Sequence, residues 1–447
     1  MTQAAGHADA FRLDRLGASQ TWQQRYEQSL MGVFGAPQEL LIHGTGCWAV
    51  DSQGRELLDM LGGIAVNALG HAHPALVGGL AEQAGRMLHI SNLFTSIPQM
   101  RLAEMLLNAA QAPDGSRVFF ANSGSEANEA ALKAVLRHRK QTGRARILAL
   151  EGGFHGRTTG ALSLTHKPAF RDPFGDLIEG IEFLPPDDLD ALERAFAAGG
   201  GAEGAVAGIF LEPIQGEAGV RPLSTQYLLR ARELTRRHGA LLVFDEVQTG
   251  IGRTGEWFRF QGAAREPAAG PPEEQAGASQ EANHLTPDLM TLAKGLGSGV
   301  PIGALVAFGA ESGALLGAGQ HGSTFGGNPL AALAGQITLE TIQGEGLLEN
   351  TQRVGAQIAA GLRELPGVVE VRQFGLHIGA DLAPSSFGSG GEEPAKELVA
   401  VARERHGLII NATGPYTIRL APPLILSQAE AEISLTRISA ALQELSV

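Results

Sequence analysis

Only five lysines occur in the 447-residue chain, at positions 133, 140, 167, 294 and 396, and one is set apart by its neighbours. Lys294 follows the apolar run Leu289-Met-Thr-Leu-Ala293 and precedes Gly295-Leu-Gly-Ser-Gly299, so its amine leaves a buried-looking strand for a flexible-looking stretch. Partial desolvation favours the neutral amine and makes it a candidate nucleophile for a Schiff base. On position alone, a lysine that snorkels to water at a strand end is the better reading. Two carboxylates end apolar runs in the same way: Glu212 after Gly208-Ile-Phe-Leu211, and Asp245 after Leu241-Leu-Val-Phe244. Open α/β sheets bind ligands outside the carboxyl ends of their strands, where such an anion would face a ligand. A protonated ring nitrogen would suit it; a helix N-cap or an interdomain ion pair would suit it equally.

Ser123-Gly-Ser-Glu126 joins the run at 117–121 to a helical pattern, with Ser123 and Glu126 at capping-box spacing. The positive helix end, Gly124 and free backbone N–H groups make a candidate phosphate cradle, with the Ser125 hydroxyl beside it. Gly322-Ser-Thr-Phe-Gly-Gly327 is a second candidate, with the hydroxyls of Ser323 and Thr324 in a glycine-rich loop. Arg157, in Gly153-Phe-His-Gly-Arg157, and Arg419, in Tyr416-Thr-Ile-Arg-Leu420, are candidate forks for substrate carboxylates. Alternation puts Arg419 on the face opposite Tyr416, Ile418 and Leu420. Other chemistries lack their signatures: there is no P-loop, no nucleophile elbow and no zinc motif, and His71-Ala-His73 reads as structural. No metal is expected.

The elements that would position these groups alternate. Apolar runs of strand length at 117–121, 146–150, 206–211, 240–244 and 289–292 are unbroken rather than alternating, as in strands covered on both faces. Between them lie helical patterns, clearest at 124–140, where Ala127, Ala130, Ala131, Ala134 and Val135 share a face. This predicts an α/β fold with a mainly parallel sheet. A hairpin at 40–58, helices mixed with short strands over 349–447, and the change of texture at both ends predict a smaller α+β domain built from 1–74 and 330–447, around a large domain at 75–329. Residues 262–284, rich in Pro, Gly, Glu and Ala, read as a mobile insertion.

A formal net charge of −13 without a basic patch argues against nucleic acid. No stretch reaches the ~20 apolar residues of a membrane span, and the start lacks a secretory signal. Cys47 stands alone, which excludes an internal disulfide and fits a reducing cytoplasm.

Eight motifs in order, among them Gly62-Gly-Ile-Ala-Val-Asn-Ala-Leu-Gly-His71, Asn122-Ser-Gly-Ser-Glu-Ala-Asn128, Phe154-His-Gly-Arg157, Glu212-Pro-Ile-Gln-Gly-Glu217, Asp245-Glu-Val-Gln-Thr-Gly250, Ala293-Lys-Gly295 and His321-Gly-Ser-Thr-Phe-Gly-Gly-Asn-Pro329, resemble the class III aminotransferases that use pyridoxal 5'-phosphate. The resemblance implies fold type I. It implies Lys294 as the lysine that binds the cofactor and then shuttles protons, and Asp245 as the partner of the ring nitrogen. It further implies Phe154 stacked on the ring, Val247 behind it, Gln248 at its phenolic oxygen, and Ser123, Gly124 and Ser125 around the phosphate. Glu212 falls among these cofactor-binding positions, Ser323 among the substrate-binding ones, and Thr324 is implied to reach the phosphate of a neighbouring subunit in a homodimer. Arg419 would grip the α-carboxylate of glutamate or 2-oxoglutarate, Arg157 the carboxylate end of an ω-amino substrate, and Glu217 would mask Arg419 when that substrate enters. Within the class the likeness points to N2-acetylornithine as the amine, in arginine synthesis. The run Asn411-Ala-Thr-Gly-Pro415 and the absence of a tyrosine near Ala65-Val66 favour it over ornithine. Succinylornithine, succinyl-diaminopimelate, carrier-linked lysine, 4-aminobutyrate, and an aminomutase or racemase reaction are the alternatives.

Overall fold

The structure is a computed structural model and describes residues 21–197, 201, 204–265, 285–384 and 393–445. Its centre is a seven-stranded sheet in the order Arg117–Ala121, Gly303–Ala307, Leu289–Leu292, Leu241–Asp245, Val206–Leu211, Arg146–Leu150, Ile181–Leu184. Gly303–Ala307 runs antiparallel to both its neighbours and the other pairings are parallel, so the expected α/β fold with a mainly parallel sheet is what the chain adopts. The cause is visible in the residues. Val206–Leu211, Leu241–Asp245, Leu289–Leu292 and Gly303–Ala307 are buried at every position, and each large aliphatic side chain contributes about 1.5–3 kcal/mol when fully removed from water. Helix Gly124–Thr142 covers part of the sheet with the small stripe Ala127, Ala130, Ala131, Ala134 and Val135, and ends at Gly143, whose φ of +75° is the left-handed cap glycine favours.

Parallel strands end along one edge, and that places the candidate residues. Asp245 is the last residue of its own strand, one beyond the run expected at 240–244, and pairs in register with Thr291. Glu212 directly follows Leu211, Lys294 lies two residues past Leu292, and Ser123 lies two past Ala121. Because Gly303–Ala307 is antiparallel, it starts at this same edge, with Gly303 opposite Ala121, and brings the 299–302 loop there.

The two ends of the chain meet. Leu41–Thr45, Trp48–Asp51 and Glu56–Asp59 form the antiparallel hairpins expected over 40–58, and Leu408–Ile409 adds to Glu56–Asp59 in parallel. A second four-stranded sheet, ordered Val368–Phe374, His377–Leu382, Thr417–Leu420, Asn411–Ala412, is antiparallel throughout and carries Arg419. The first residues of the segment read as an insertion are otherwise placed: Gly262 and Ala263 finish helix Arg259–Ala263, with Ala263 and Ala264 buried in the core. Apolar side chains within that helix supplied the missed signal. Residues 266–284, like 1–20, lie outside the described residues. Among the described residues no helix is long and apolar enough to cross a membrane.

Candidate active site

A cavity of about 330 Å³ opens at the carboxyl edge of the sheet, lined among others by Ser123, Gly124, Ser125, Asn128, Phe154, His155, Glu212, Asp245, Val247, Gln248 and Lys294. Residues from five separate strand ends meet here, as the sheet order demands.

Lys294 has φ +43°, a left-handed conformation that costs a residue with a Cβ about 1–3 kcal/mol and that the surrounding packing must enforce. The glycine run after it, expected to be flexible, is a short 3-10 turn, Lys294–Gly297, with Gly295, Leu296 and Gly297 buried. Packing replaces flexibility there because a Cβ on Gly297 would lie 2.8 Å from Ile302. The lysine is half-buried and lines the cavity. Burial lowers its pKa from 10.5 to about 8, against the opposing pull of Glu217, Asp245 and Glu212 and with the help of Arg419.

Asp245 is fixed from three sides. Its Oδ2 accepts from Asn128 Nδ2 and from His155 Nδ1, both at 2.8 Å, and its Oδ1 accepts from the Val247 N–H at 3.0 Å. Burial opposes charge on His155, but the hydrogen bond and charge of Asp245, with Glu212 behind, outweigh it and raise the His155 pKa. His155 Nδ1 thus faces Asp245 Oδ2, while Oδ1, bonded only to the Val247 N–H, keeps capacity for one more donor. Thr291 donates to Asn128 Oδ1 at 2.9 Å and orients that amide. Sequence reasoning passed over His155 and Asn128 as partners of Asp245. Both stand inside quoted motifs, yet 90 and 117 residues separate them from Asp245 and no spacing could pair them.

Glu212 neither caps a helix nor pairs with a distant domain. Its Oε1 accepts from the Phe154 N–H at 2.8 Å and its Oε2 from the Gly216 N–H at 3.4 Å. Burial pushes its pKa up to about 7, with His155 pulling the other way.

At the helix start Ser123 Oγ accepts from the Glu126 N–H at 3.2 Å, but the reciprocal half of the expected capping box is absent. Glu126 reaches one residue further back and takes the N–H and side-chain amide of Asn122, at 2.9 and 2.7 Å. The N–H groups of Gly124 and Ser125, in the first helical turn, have no intrahelical partner and remain for an anion. Gly124 is required by contact, since a Cβ there would meet Val247 at 2.9 Å.

Arg419 is 1% exposed and does not itself line the cavity; it reaches it through Gln248. Its Nη1 donates to Glu217 Oε1 at 2.7 Å, Gly216 O at 3.2 Å and Gln248 Oε1 at 3.3 Å, and its Nη2 to Asn411 Oδ1 at 2.8 Å. Gln248 Nε2 donates to the same Glu217 oxygen at 3.0 Å. Burial disfavours the Glu217 charge, yet Arg419 outweighs it and holds that carboxyl below its usual range. Arg157 is exposed, its guanidinium 3.5 Å from the Phe170 ring centre and 5.7 Å from that of Phe154. Thr324 and Ser323 do not join this cavity: Thr324 is exposed, and Ser323 Oγ accepts from Asn122 Nδ2 and the Gly326 N–H, each at 3.0 Å. Among the described residues no His, Cys, Asp and Glu cluster could hold a metal ion.

The model of the aminotransferase class-III family matches residues 37–268 and 276–442. The chain belongs to the class III aminotransferases. It is 44% identical over 437 residues to an acetylornithine aminotransferase of Bifidobacterium longum, covering 94% of this chain and 96% of that protein. It is 43% identical to the one from Streptomyces coelicolor, covering 90% of each. Among solved structures, an ornithine aminotransferase from Toxoplasma gondii superposes with a TM-score of 0.82 at 28% identity, covering 100% of this chain and 98% of that one. An N-acetylornithine aminotransferase from Stenotrophomonas maltophilia gives 0.73 at 35%, covering 92% and 98%. The gap between the two matched stretches, residues 269–275, falls inside the segment read as an insertion.

The cofactor of this aminotransferase is pyridoxal 5'-phosphate, and the residues fit it. The cavity offers a half-buried amine for an aldehyde, a helix start with unpaired N–H groups for a phosphate, and a carboxyl group with a spare lone pair for a ring N–H.

Proposed function

We propose that the enzyme transfers the δ-amino group of N2-acetylornithine to 2-oxoglutarate, giving N-acetylglutamate 5-semialdehyde and glutamate, a step of arginine synthesis. The names of its relatives at 41–44% identity support that substrate. The observation that carries it on this chain is the Arg419–Glu217 pair beside Lys294, which lets one pocket take two unlike substrates by turns.

Bound pyridoxal phosphate supplies a protonated ring that takes up the electrons released when a substrate C–H proton leaves. Asp245, held in place by His155 and Asn128, would accept a hydrogen bond from the ring nitrogen and keep it protonated. Lys294 Nζ, with its pKa near 8, would hold the cofactor and then serve as the base and acid that moves a proton. Phe154 and Val247 would enclose the ring, Gln248 would meet its phenolic oxygen, Glu212 would stand among the cofactor-binding residues, and Ser123, Gly124 and Ser125 would hold the phosphate. When glutamate enters, its α-carboxylate displaces Glu217 from Arg419. When acetylornithine enters, Glu217 stays paired and the distal carboxylate goes to Arg157.

In this reading residues 75–329 carry the cofactor and the two chain ends carry Arg419. A homodimer completes the site with Thr324, and Ser323 lies where substrate would pass. Exposed Leu93, Phe94, Ile97, Met100 and Phe325, tied together by Asn92 bonding to the carbonyls of Ser323 and Gly326, supply an apolar face beside Thr324 for that second copy. The reading makes the enzyme cytoplasmic. Ranking kcat/KM for glutamate-free aminated enzyme over a panel of semialdehydes, and for the cofactor-loaded enzyme over ω-amines, tests the substrate. A panel led by ornithine or 4-aminobutyrate would overturn it.

A further inference from the structure

Glu217 sits at the tip of a small hairpin, and the chain fastens that tip to the sheet that carries Arg419. Ile214–Gln215 pairs antiparallel with Arg221–Pro222, which leaves residues 216–220 as the tip. Across the small sheet, Arg372, Gly379, Arg419 and Asn411 stand in register on four successive strands, so their side chains share one face. The tip lies on that face. Arg419 holds Gly216 O and Glu217 at one side of the row. At the other side Arg372, itself buried, donates to Gly219 O from Nε at 3.1 Å and from Nη2 at 2.9 Å. Between them Gly379 allows the backbone approach, since a Cβ there would stand 2.6 Å from Gly219 O.

Arg372 is in turn immobilised. Its Nη1 and Nη2 donate to the two oxygens of Asp381 at 2.8 and 2.7 Å, and its Nη1 lies 2.7 Å from Glu370. Asp381 also accepts from Arg221 Nη2 at 2.8 Å and from Thr417 Oγ1 at 2.6 Å, so the second strand of the hairpin is tied to the same carboxylate. A hairpin with two residues per strand has little stability of its own, and its tip would wander without such anchors.

We infer that Arg372 is a positioning residue for substrate choice: with Asp381 and Gly379 it clamps the hairpin tip, so that the Glu217 side chain alone moves on and off Arg419. The inference rests on the Glu217–Arg419 switch proposed above and names what sets its balance. Loosening the clamp lets the tip carry Glu217 away. Arg419 is then bare more often, which favours the α-carboxylate of glutamate and disfavours the ω-amine.

The test is the KM of the holoenzyme for glutamate divided by that for N2-acetylornithine, measured in separate half-reactions. Arg372→Met should lower this quotient about tenfold, within the range of coupling between linked sites, while the visible absorbance of the bound cofactor stays unchanged. Arg372→Lys, which keeps a donor for Gly219 O and Asp381, should restore part of it. Gly379→Ala keeps every charge and should shift the quotient the same way, and it decides the matter if Arg372→Met does not fold. Glu217→Gln serves as the reference. If it shifts the quotient while the Arg372 and Gly379 variants only lower kcat or change both KM values equally, the clamp is refuted. If Glu217→Gln leaves the quotient unmoved, the switch itself falls and the clamp with it.

Discussion

Asp245 and Glu217 each face a basic side chain, Asp245 in the cavity wall and Glu217 behind Gln248, yet they are held in opposite ways. The Asp245 side chain is 4% exposed, and three donors from three different elements occupy its two oxygens. The Glu217 side chain is 37% exposed, and both its donors, from Arg419 and Gln248, converge on one oxygen. Withdrawing Asp245 would leave the buried His155 Nδ1 and Asn128 Nδ2 without their acceptor, whereas Glu217 can turn to water and lose little. On the proposed reading, a group that serves the cofactor through the whole cycle is held from several sides, and a group that yields to a substrate is held at one point on a clamped backbone.

The sharpest break of this comparison is at the fixed end. Lys294→Ala should lower transamination by at least about 10⁴-fold and abolish the visible band of the cofactor-loaded protein, because the variant loses both attachment and proton shuttle. A wild-type protein that stays colourless with pyridoxal phosphate would refute the assignment of Lys294. Asp245→Asn should cost about 10²–10³-fold in kcat in both half-reactions alike, since it acts on the ring rather than on a substrate. At the yielding end the expected pattern is unequal. Arg419→Ala should weaken the glutamate half-reaction by about 10²-fold, within the 2–5 kcal/mol range for a severed buried charge contact, and the acetylornithine half-reaction by only a few fold. Equal losses would erase the distinction between the two ends.

The lysine adds a pH signature. Its folded pKa of about 8 against 10.5 for a free lysine means that the unfolded chain binds one more proton between those values. For the cofactor-free protein this residue therefore makes stability rise with pH from about 8 to 10.5, and the destabilisation it causes is complete below 8. Capture of pyridoxal phosphate by that protein should quicken as pH approaches 8 and level off above it, which stopped-flow absorbance would record. A rate flat across that range would place the reactive amine elsewhere. The smallest effect concerns the helix start: Ser123→Ala should cost about 1 kcal/mol of thermal stability through the lost N-cap, and reduce cofactor retention without moving the preference between substrates.

Much of this was legible in the order of residues. Apolar runs such as Val206–Leu211 and Leu289–Leu292 read as strands covered on both faces, and the stripe of alanines from Ala127 to Ala134 reads as a helix lying on them, and both are what the chain forms. Once the sheet is parallel, Lys294, Asp245, Glu212 and Ser123 must gather at one edge, because each follows the end of a strand. The clamp was not legible: Arg372, Gly379 and Arg419 face together only because three strands pair in one register, which the sequence pattern of any single strand does not encode. Nor was the direction in which Glu126 reaches, or the histidine and asparagine behind Asp245. Local sequence determines which residues stand at the ends of elements, through periodicity and capping. Partners across 90 or more residues, and hence the protonation states of the buried groups, are decided only when packing excludes water and forces each charge to find a neighbour.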